Sequence, residues 1–391
     1  MGQESAQLVG QILADTYRVE RLLGGGGMGA VYEASHLRLR RHFAVKVLFA
    51  EVAANEEALL RFQREAQITS GLGHPNIVEV IDFNHTPDGA PYLVMELLEG
   101  RDLEAVLARE VQLPLERAMK IFGQVGAALL AAHGQGIIHR DLKPSNVFLC
   151  DVAGRNDVVK IVDFGISKVL GSKSAVTRTQ ATMGTPGYMS PEQAEGRAAE
   201  VDVRTDVFAL GTMLFEMLAG RTPFDGETIP TMLYKIVHVA PPALRSFRAD
   251  LSPAVAAVVH RAMEKKPEDR FQTVNEMLAS LGEALAGTSA ALPASLLDVA
   301  AKGSAPGDKP ESLGAQVPRA GAMAPTPGDA MAPTVDAAAG VSETTLSSSA
   351  VEVRPVPGAA QGTRKKAGTF VAVALALVVL LGAGVGVFLL R

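Results

Sequence analysis

Residues 139–146 read His139-Arg140-Asp141-Leu142-Lys143-Pro144-Ser145-Asn146, and Asp163-Phe164-Gly165 begins seventeen positions after Asn146. In this order the two strings supply the polar groups that transfer of a phosphoryl group from a nucleotide requires. Asp141 suits acceptance of a hydroxyl proton, and Lys143 suits neutralisation of the moving phosphoryl. Asn146 and Asp163 offer an amide oxygen and a carboxylate to Mg2+. A purely structural reading would leave three clustered polar side chains serving turns only.

The segment Leu22-Leu23-Gly24-Gly25-Gly26-Gly27-Met28-Gly29-Ala30-Val31-Tyr32 has glycines at 24, 26 and 29 in G-x-G-x-x-G spacing. Lacking Cβ atoms, such a turn closes over phosphates and directs backbone N–H groups at them. Dinucleotide folds use the same spacing to open a helix, with an acidic residue about 20 positions on. Here Val31-Tyr32-Glu33-Ala34 reads as a second strand, which predicts a β-hairpin. Phe43-Ala44-Val45-Lys46-Val47-Leu48 is an apolar strand broken by one cation. Lys46 in such a strand needs an anionic partner, which nucleotide phosphates and one carboxylate would supply. The helical stretch Leu59 to Ala66 offers Glu65, with Glu56 and Glu57 as rivals. Leu60, Ile68 and Leu72 are expected to share Glu65's inward side.

With these motifs, and with Ser190-Pro191-Glu192 downstream, the chain resembles a eukaryotic-type (Hanks-type) protein kinase, specifically the membrane-bound Ser/Thr kinases of bacteria. The resemblance covers residues 17–281. It implies an α+β, bilobal fold: one lobe mainly antiparallel β with one key helix, the other mainly α. It implies ATP with Mg2+, or Mn2+ in its place, as cofactors, and proteins bearing Ser or Thr as substrates. Tyr92 to Leu98 resembles the hinge between lobes. The backbone of Glu96 and Leu98 would bind adenine, Met95 would border the ring, and Leu23, Val31, Ala44 and Phe148 would sandwich it. By the same resemblance Asp206 braces the catalytic loop and Arg270 pairs with Glu192. Lys143-Pro144-Ser145 and Gly184-Thr185-Pro186-Gly187-Tyr188 resemble the Ser/Thr branch, with Thr185 bonding Asp141 and Lys143. Arg140 awaits a counter-ion, and phosphothreonine at 177 or 179 would provide it.

Around this site, residues 17–281 mix aromatics, Gly punctuation and helical or alternating patterns, as a globule does. Residues 1–16 read as a flexible terminus with neither a secretory signal nor a complete myristoylation signal. The net charge of -5 and the lack of a long basic run argue against nucleic acid. A lone cysteine, Cys150, excludes an internal disulfide and suits a reducing compartment. Residues 282–366 are rich in Ala, Pro, Gly and Ser without one aromatic, so they read as a disordered linker spanning on the order of 50 Å. Thr369 to Leu390 then carries no charge and is long enough, as a helix, for a hydrocarbon core of about 30 Å. Residues 367–391 are therefore expected to form a transmembrane tail anchor. Arg364, Lys365 and Lys366 precede the span and place the kinase-like region on the cytoplasmic side of the inner membrane. Gly382 and Gly386 allow helix pairing, and a homodimer would serve trans-autophosphorylation.

Overall fold

The computed structural model describes residues 8–152, 154–164 and 186–286. Contacts divide the chain into Met1–Glu311 and Ser312–Arg391, and the second unit lies wholly outside the described residues. So do Gly165, Thr177, Thr179, Gly184, Thr185, most of the expected linker and the span Thr369–Leu390. Among the described residues, no helix is long and apolar enough to cross a membrane.

The first lobe is built on a six-stranded sheet: β1 Ile12–Leu13, β2 Tyr17–Gly25, β3 Gly29–His36, β4 His42–Leu48, β5 Val80–His85 and β6 Pro91–Glu96, in the order β1-β2-β3-β4-β6-β5. All its pairings are antiparallel. Alternation along β4 buries Phe43, Val45 and Val47 with Tyr32, Tyr92 and Val94 on one face, which turns Ala44 and Lys46 to the other. Helix α1, Ala50–Ala53, is followed by α2, Glu56–Leu72, capped by the Asn55 side chain and ended by Gly73 at φ 50°. The buried side of α2 is Phe62, Ala66, Thr69 and Leu72. Phe62 and Ala66 pack with Leu48 and Leu93.

The second lobe opens with β7 Gly100–Asp102, α3 Leu103–Glu110 and α4 Leu115–Gly134, followed by the hairpin β8 Val147–Val152 and β9 Arg155–Ile161. Then come α5 Pro191–Ala194, α6 Val203–Ala219, α7 Ile229–His238, α8 Pro253–Ala262 and α9 Val274–Ala284. Helix α6 is buried almost all round and forms the axis of one large core with α4, α8 and α9. Strand β9 ties the lobes together, since Val78 N–H donates to Ile161 O at 3.0 Å and Ile161 N–H to Asn76 O at 2.8 Å.

Three expectations are corrected. Part of the expected flexible terminus is ordered: β1 pairs with β2, and Leu13 is buried because it completes the apolar face of the sheet. The packed region runs past residue 281, since α9 continues to Ala284 and Leu285 is buried in the helical core. Leu60 is 43% exposed rather than inward-facing, and Phe62 takes that role.

Candidate active site

The sixteen residues between Asn146 and Asp163 carry the β8–β9 hairpin. Val147 pairs with Ile161, so the two ends of the hairpin meet. Val162 N–H donates to Asn146 O at 2.9 Å, which sets Asn146 beside the residue preceding Asp163. A single turn of 3-10 helix, Pro144–Asn146, starts the hairpin, and Asn146 Nδ2 donates to Asp141 O at 2.9 Å. Asn146 is buried, and its side-chain oxygen is thereby oriented by a fixed amide. Lys143 Nζ lies 3.0 Å from Asp141 Oδ2, both side chains being about one-quarter exposed.

Asp206 on α6 holds this loop in place. It is fully buried, and it accepts the backbone N–H groups of His139 and Arg140 at 2.8 Å each. His133 Nε2, at the end of α4, lies 2.7 Å from the same carboxylate. Burial would raise the Asp206 carboxyl, but His133 and the amides hold it below its ordinary value. These bonds support backbone strain at Arg140, which sits at φ 65°, a region unfavourable to side chains with a Cβ; Asp163 sits there too, at φ 53°. Phe164 is buried against the His139 ring at 4.7 Å between centroids, fixing the residue after Asp163 in the helical core.

From the other lobe, Lys46 Nζ reaches Asp163 Oδ1 at 2.6 Å and Glu65 Oε1 at 3.7 Å. Of the three candidate carboxylates only Glu65 meets Lys46; Glu56 and Glu57 are exposed, and Glu57 faces Arg61. Burial alone would pull Lys46 down, but Asp163 and Glu65 push it above its ordinary value. Burial and the Asp163 carboxylate push Glu65 up, against the pull of Lys46.

The β2–β3 hairpin forms the expected glycine turn, closed by Gly26 N–H to Gly29 O at 2.9 Å. Its glycines have different reasons. A Cβ on Gly24 or Gly26 would meet nothing within 4 Å, whereas on Gly29 it would lie 2.1 Å from Val47 O on β4. Gly29 is therefore demanded by strand packing, and Gly24 and Gly26 leave open space above the backbone.

The register brings Val31 opposite Lys46 and Ala44 opposite Met95, placing these residues on adjoining strands. Leu23 is exposed on β2, while Phe148 lies half-buried on β8 of the second sheet. Glu96 ends β6 opposite Phe43, and its N–H donates to Glu79 O at 3.0 Å. Among the described residues, Leu98 N–H has no backbone acceptor.

Sequence reasoning missed three side chains at this site. His133 was signalled only by its place just before the loop. The Glu96 carboxylate takes Lys160 Nζ at 2.6 Å and Glu79 N–H at 2.8 Å, bracing the strand end across the lobes. Gln193 Nε2 donates to Arg140 O at 2.8 Å and so ties α5 to the loop. Behind α5, Glu192 and Arg270 form a fully buried bidentate pair at 2.9 and 2.8 Å. Arg140 Nε is buried with no hydrogen-bond partner among the described residues, and burial lowers the guanidinium's ordinarily high value.

The protein kinase domain family model matches residues 17–280. The chain is 40% identical over 283 residues to the serine/threonine-protein kinase pkn3 of Myxococcus xanthus, covering 71% of this chain and 51% of that protein. It is 41% identical over 292 residues to the serine/threonine-protein kinase PknB of Mycolicibacterium smegmatis, covering 74% and 46% respectively. The chain thus spans about half the length of these curated relatives. Among solved structures it is similar to the Mycobacterium tuberculosis PknI kinase domain, with a TM-score of 0.55 and 32% identity over 70% of this chain and 98% of that one. Glycine turn, paired lysine, catalytic-loop acid and hairpin-positioned second acid agree with that match, and the chain belongs to the protein kinase family, with strong homology to the bacterial Hanks-type Ser/Thr kinases.

Proposed function

We propose that the chain is an ATP- and Mg2+-dependent protein Ser/Thr kinase, tethered to the cytoplasmic face of the inner membrane and activated by phosphorylation of its own Thr177 or Thr179. One observation carries the catalytic part: Lys46 bridges from the β-rich lobe to Asp163, while the hairpin beneath brings Asp163 and Asn146 together beside the Asp141–Lys143 pair. The donor set fits Mg2+. Among the described residues no group of three or more His, Cys, Asp or Glu gathers to hold an ion. An amide oxygen and one carboxylate are what Mg2+ takes when nucleotide phosphates and water complete its shell. Asn146 and Asp163 would hold it, and when bound it offsets charge on the phosphates.

Lys46 then neutralises phosphate oxygens, and Glu65 keeps the lysine aimed. The open backbone above Gly24 and Gly26 receives the phosphates, and Leu23, Val31, Ala44, Met95 and Phe148 border the adenine held by Glu96 and Leu98. Asp141 accepts the proton of a Ser or Thr hydroxyl as its oxygen bonds to the γ-phosphorus and the bond to the ADP oxygen breaks. Lys143 steadies the transferred group. The buried Arg140 Nε, which has no hydrogen-bond partner among the described residues, supports docking of a phosphothreonine.

Incubation of the purified chain with ATP, Mg2+ and matched Ser, Thr and Tyr peptides tests the reading. Transfer to Ser or Thr but not Tyr is expected; transfer to none, or to Tyr alone, overturns it. Mass spectrometry of the active sample should find phosphate on Thr177 or Thr179. Flotation with phosphatidylcholine vesicles should carry the full chain and leave behind a chain lacking residues 367–391.

A further inference from the structure

The loop joining β3 to β4 belongs to none of the machinery above. It reads Leu37-Arg38-Leu39-Arg40-Arg41, and from Ala34 to Ala50 the chain has no acidic residue. Leu37 is 41% exposed and Leu39 55%, with all three arginines exposed between and beside them. The loop is not a loose turn. His36 N–H donates to Arg41 O at 3.0 Å and Leu37 N–H to Thr16 O at 2.8 Å. His36 Nδ1 accepts the amides of both Arg38 and Leu39 at 3.1 Å. The His36 ring is itself wedged against Tyr17 and Phe43. These bonds hold the leucines out in solvent.

The arginines are also free to bind. Among the described residues none of Arg38, Arg40 and Arg41 has a carboxylate partner; Arg41 lies over the Phe43 ring at 5.2 Å. Nearby acids are engaged: Glu33 with Arg21 and His42, and Glu20 with the Ser35 hydroxyl. A single exposed leucine needs no explanation. Two leucines alternating with three unpaired arginines on a braced loop match the chemistry of a lipid headgroup boundary, where aliphatic tips enter the acyl edge and guanidinium groups meet phosphate. Nucleic acid fits less well, because the loop offers no aromatic ring for a base.

We propose that the β3–β4 loop is a docking element for an anionic phospholipid surface. The inference rests on the reading that Thr369–Leu390 keeps the chain at a membrane, whose cytoplasmic leaflet would supply the anionic lipid. The loop lies at the opposite end of β3 from Gly29, so contact there leaves the glycine turn free to receive nucleotide.

The test uses the full chain with Leu39→Cys carrying an environment-sensitive fluorophore, Cys150 being buried. On vesicles of phosphatidylcholine with 30 mol% phosphatidylglycerol (roughly the anionic content that gives a cytoplasmic leaflet its negative potential), the label should shift blue and be quenched by headgroup-depth nitroxide lipid. On phosphatidylcholine alone it should not. Adding Arg38→Glu, Arg40→Glu and Arg41→Glu should weaken the loop's partitioning on the order of a hundredfold, at about tenfold per 1.4 kcal/mol. The pair Arg38→Glu with Arg40→Glu, which keeps Arg41 on Phe43, guards against misfolding and should weaken it on the order of tenfold or more. Both should leave soluble-peptide phosphorylation unchanged. A label equally solvent-exposed on both vesicle types overturns the inference. So does a label shifted by a single-stranded oligonucleotide but unquenched by nitroxide lipid. Failure of the chain to float with phosphatidylcholine would instead strike the anchor reading, and label quenching on phosphatidylglycerol vesicles would still report the loop.

Discussion

Arg270→Met should destabilise the helical lobe severely, and the structure allows the size to be worked out twice. Both Arg270 and Glu192 are fully buried. All five guanidinium N–H groups are used: two on Glu192, the others on the carbonyls of Glu264, Arg204 and Lys265. Removing one partner of such a pair strands a buried charge, which costs about 3–5 kcal/mol. The second route is through titration. Burial alone would raise the Glu192 carboxyl, but Arg270 and the Thr205 hydroxyl bring it from 4.5 to about 2. At about 1.4 kcal/mol per tenfold change, that difference corresponds to about 3 kcal/mol. Because the folded value is below the unfolded one, this stability is complete above about pH 4.5 and is lost as pH falls towards 2. Thermal unfolding of wild type and Arg270→Met should therefore differ by about 6–10 °C at pH 7. The gap should narrow as pH is lowered from 5 to 3, and Glu192→Leu with Arg270→Met should recover most of it. A gap under 2 °C, or one independent of pH across that range, would refute the reasoning (the threshold is roughly 1 kcal/mol for a domain of this size).

Gly29→Ala and Gly24→Ala separate packing from ligand space. The first forces a Cβ onto Val47 O and should lower the melting temperature, whereas Gly24→Ala should keep it and raise the KM for ATP. Equal melting temperatures for the two variants would contradict that division. Asp206→Asn removes the charge that holds His133 and two loop amides, and should cut kcat by about 100-fold with little change in ATP affinity. Unaltered kcat would show that the strained Arg140 turn needs no such brace. Gln193→Ala, measured by steady-state peptide kinetics, should weaken peptide KM more than ATP KM, because it frees α5 from the catalytic loop; an increase confined to ATP KM would contradict this.

Much of the site was legible because its chemistry demands specific groups at specific spacings. A charged Lys46 inside an apolar strand required acids, and the structure gives it Glu65 and Asp163. Asn146 and Asp163 were paired by their chemistry, and the structure brings them together through the β8–β9 hairpin. Less legible were features decided by tertiary packing. Leu60 and Phe62 are both apolar and two positions apart, and only the location of Leu48 and Leu93 determines which turns inward. A two-residue strand such as β1 has no periodicity to read. His133 and Gln193 act through single hydrogen bonds to a carboxylate and a carbonyl distant in sequence, which no local pattern encodes. The arginine-leucine loop was too short to register as a basic run, and its significance depends on the exposure that His36 enforces.

In the proposed reaction two acids share one cleft with different duties, Asp163 holding Mg2+ with the nucleotide and Asp141 taking the hydroxyl proton. Fluorescent ATP titrations with and without Mg2+, run beside γ-phosphate transfer to a Ser/Thr peptide, test it in wild type, Asp141→Asn and Asp163→Asn. Asp141→Asn should keep Mg2+-dependent nucleotide affinity while transfer falls by about 10²–10⁴-fold. Asp163→Asn should lose the Mg2+ dependence together with transfer. Full transfer by Asp141→Asn, or unchanged Mg2+-dependent binding by Asp163→Asn, would contradict it.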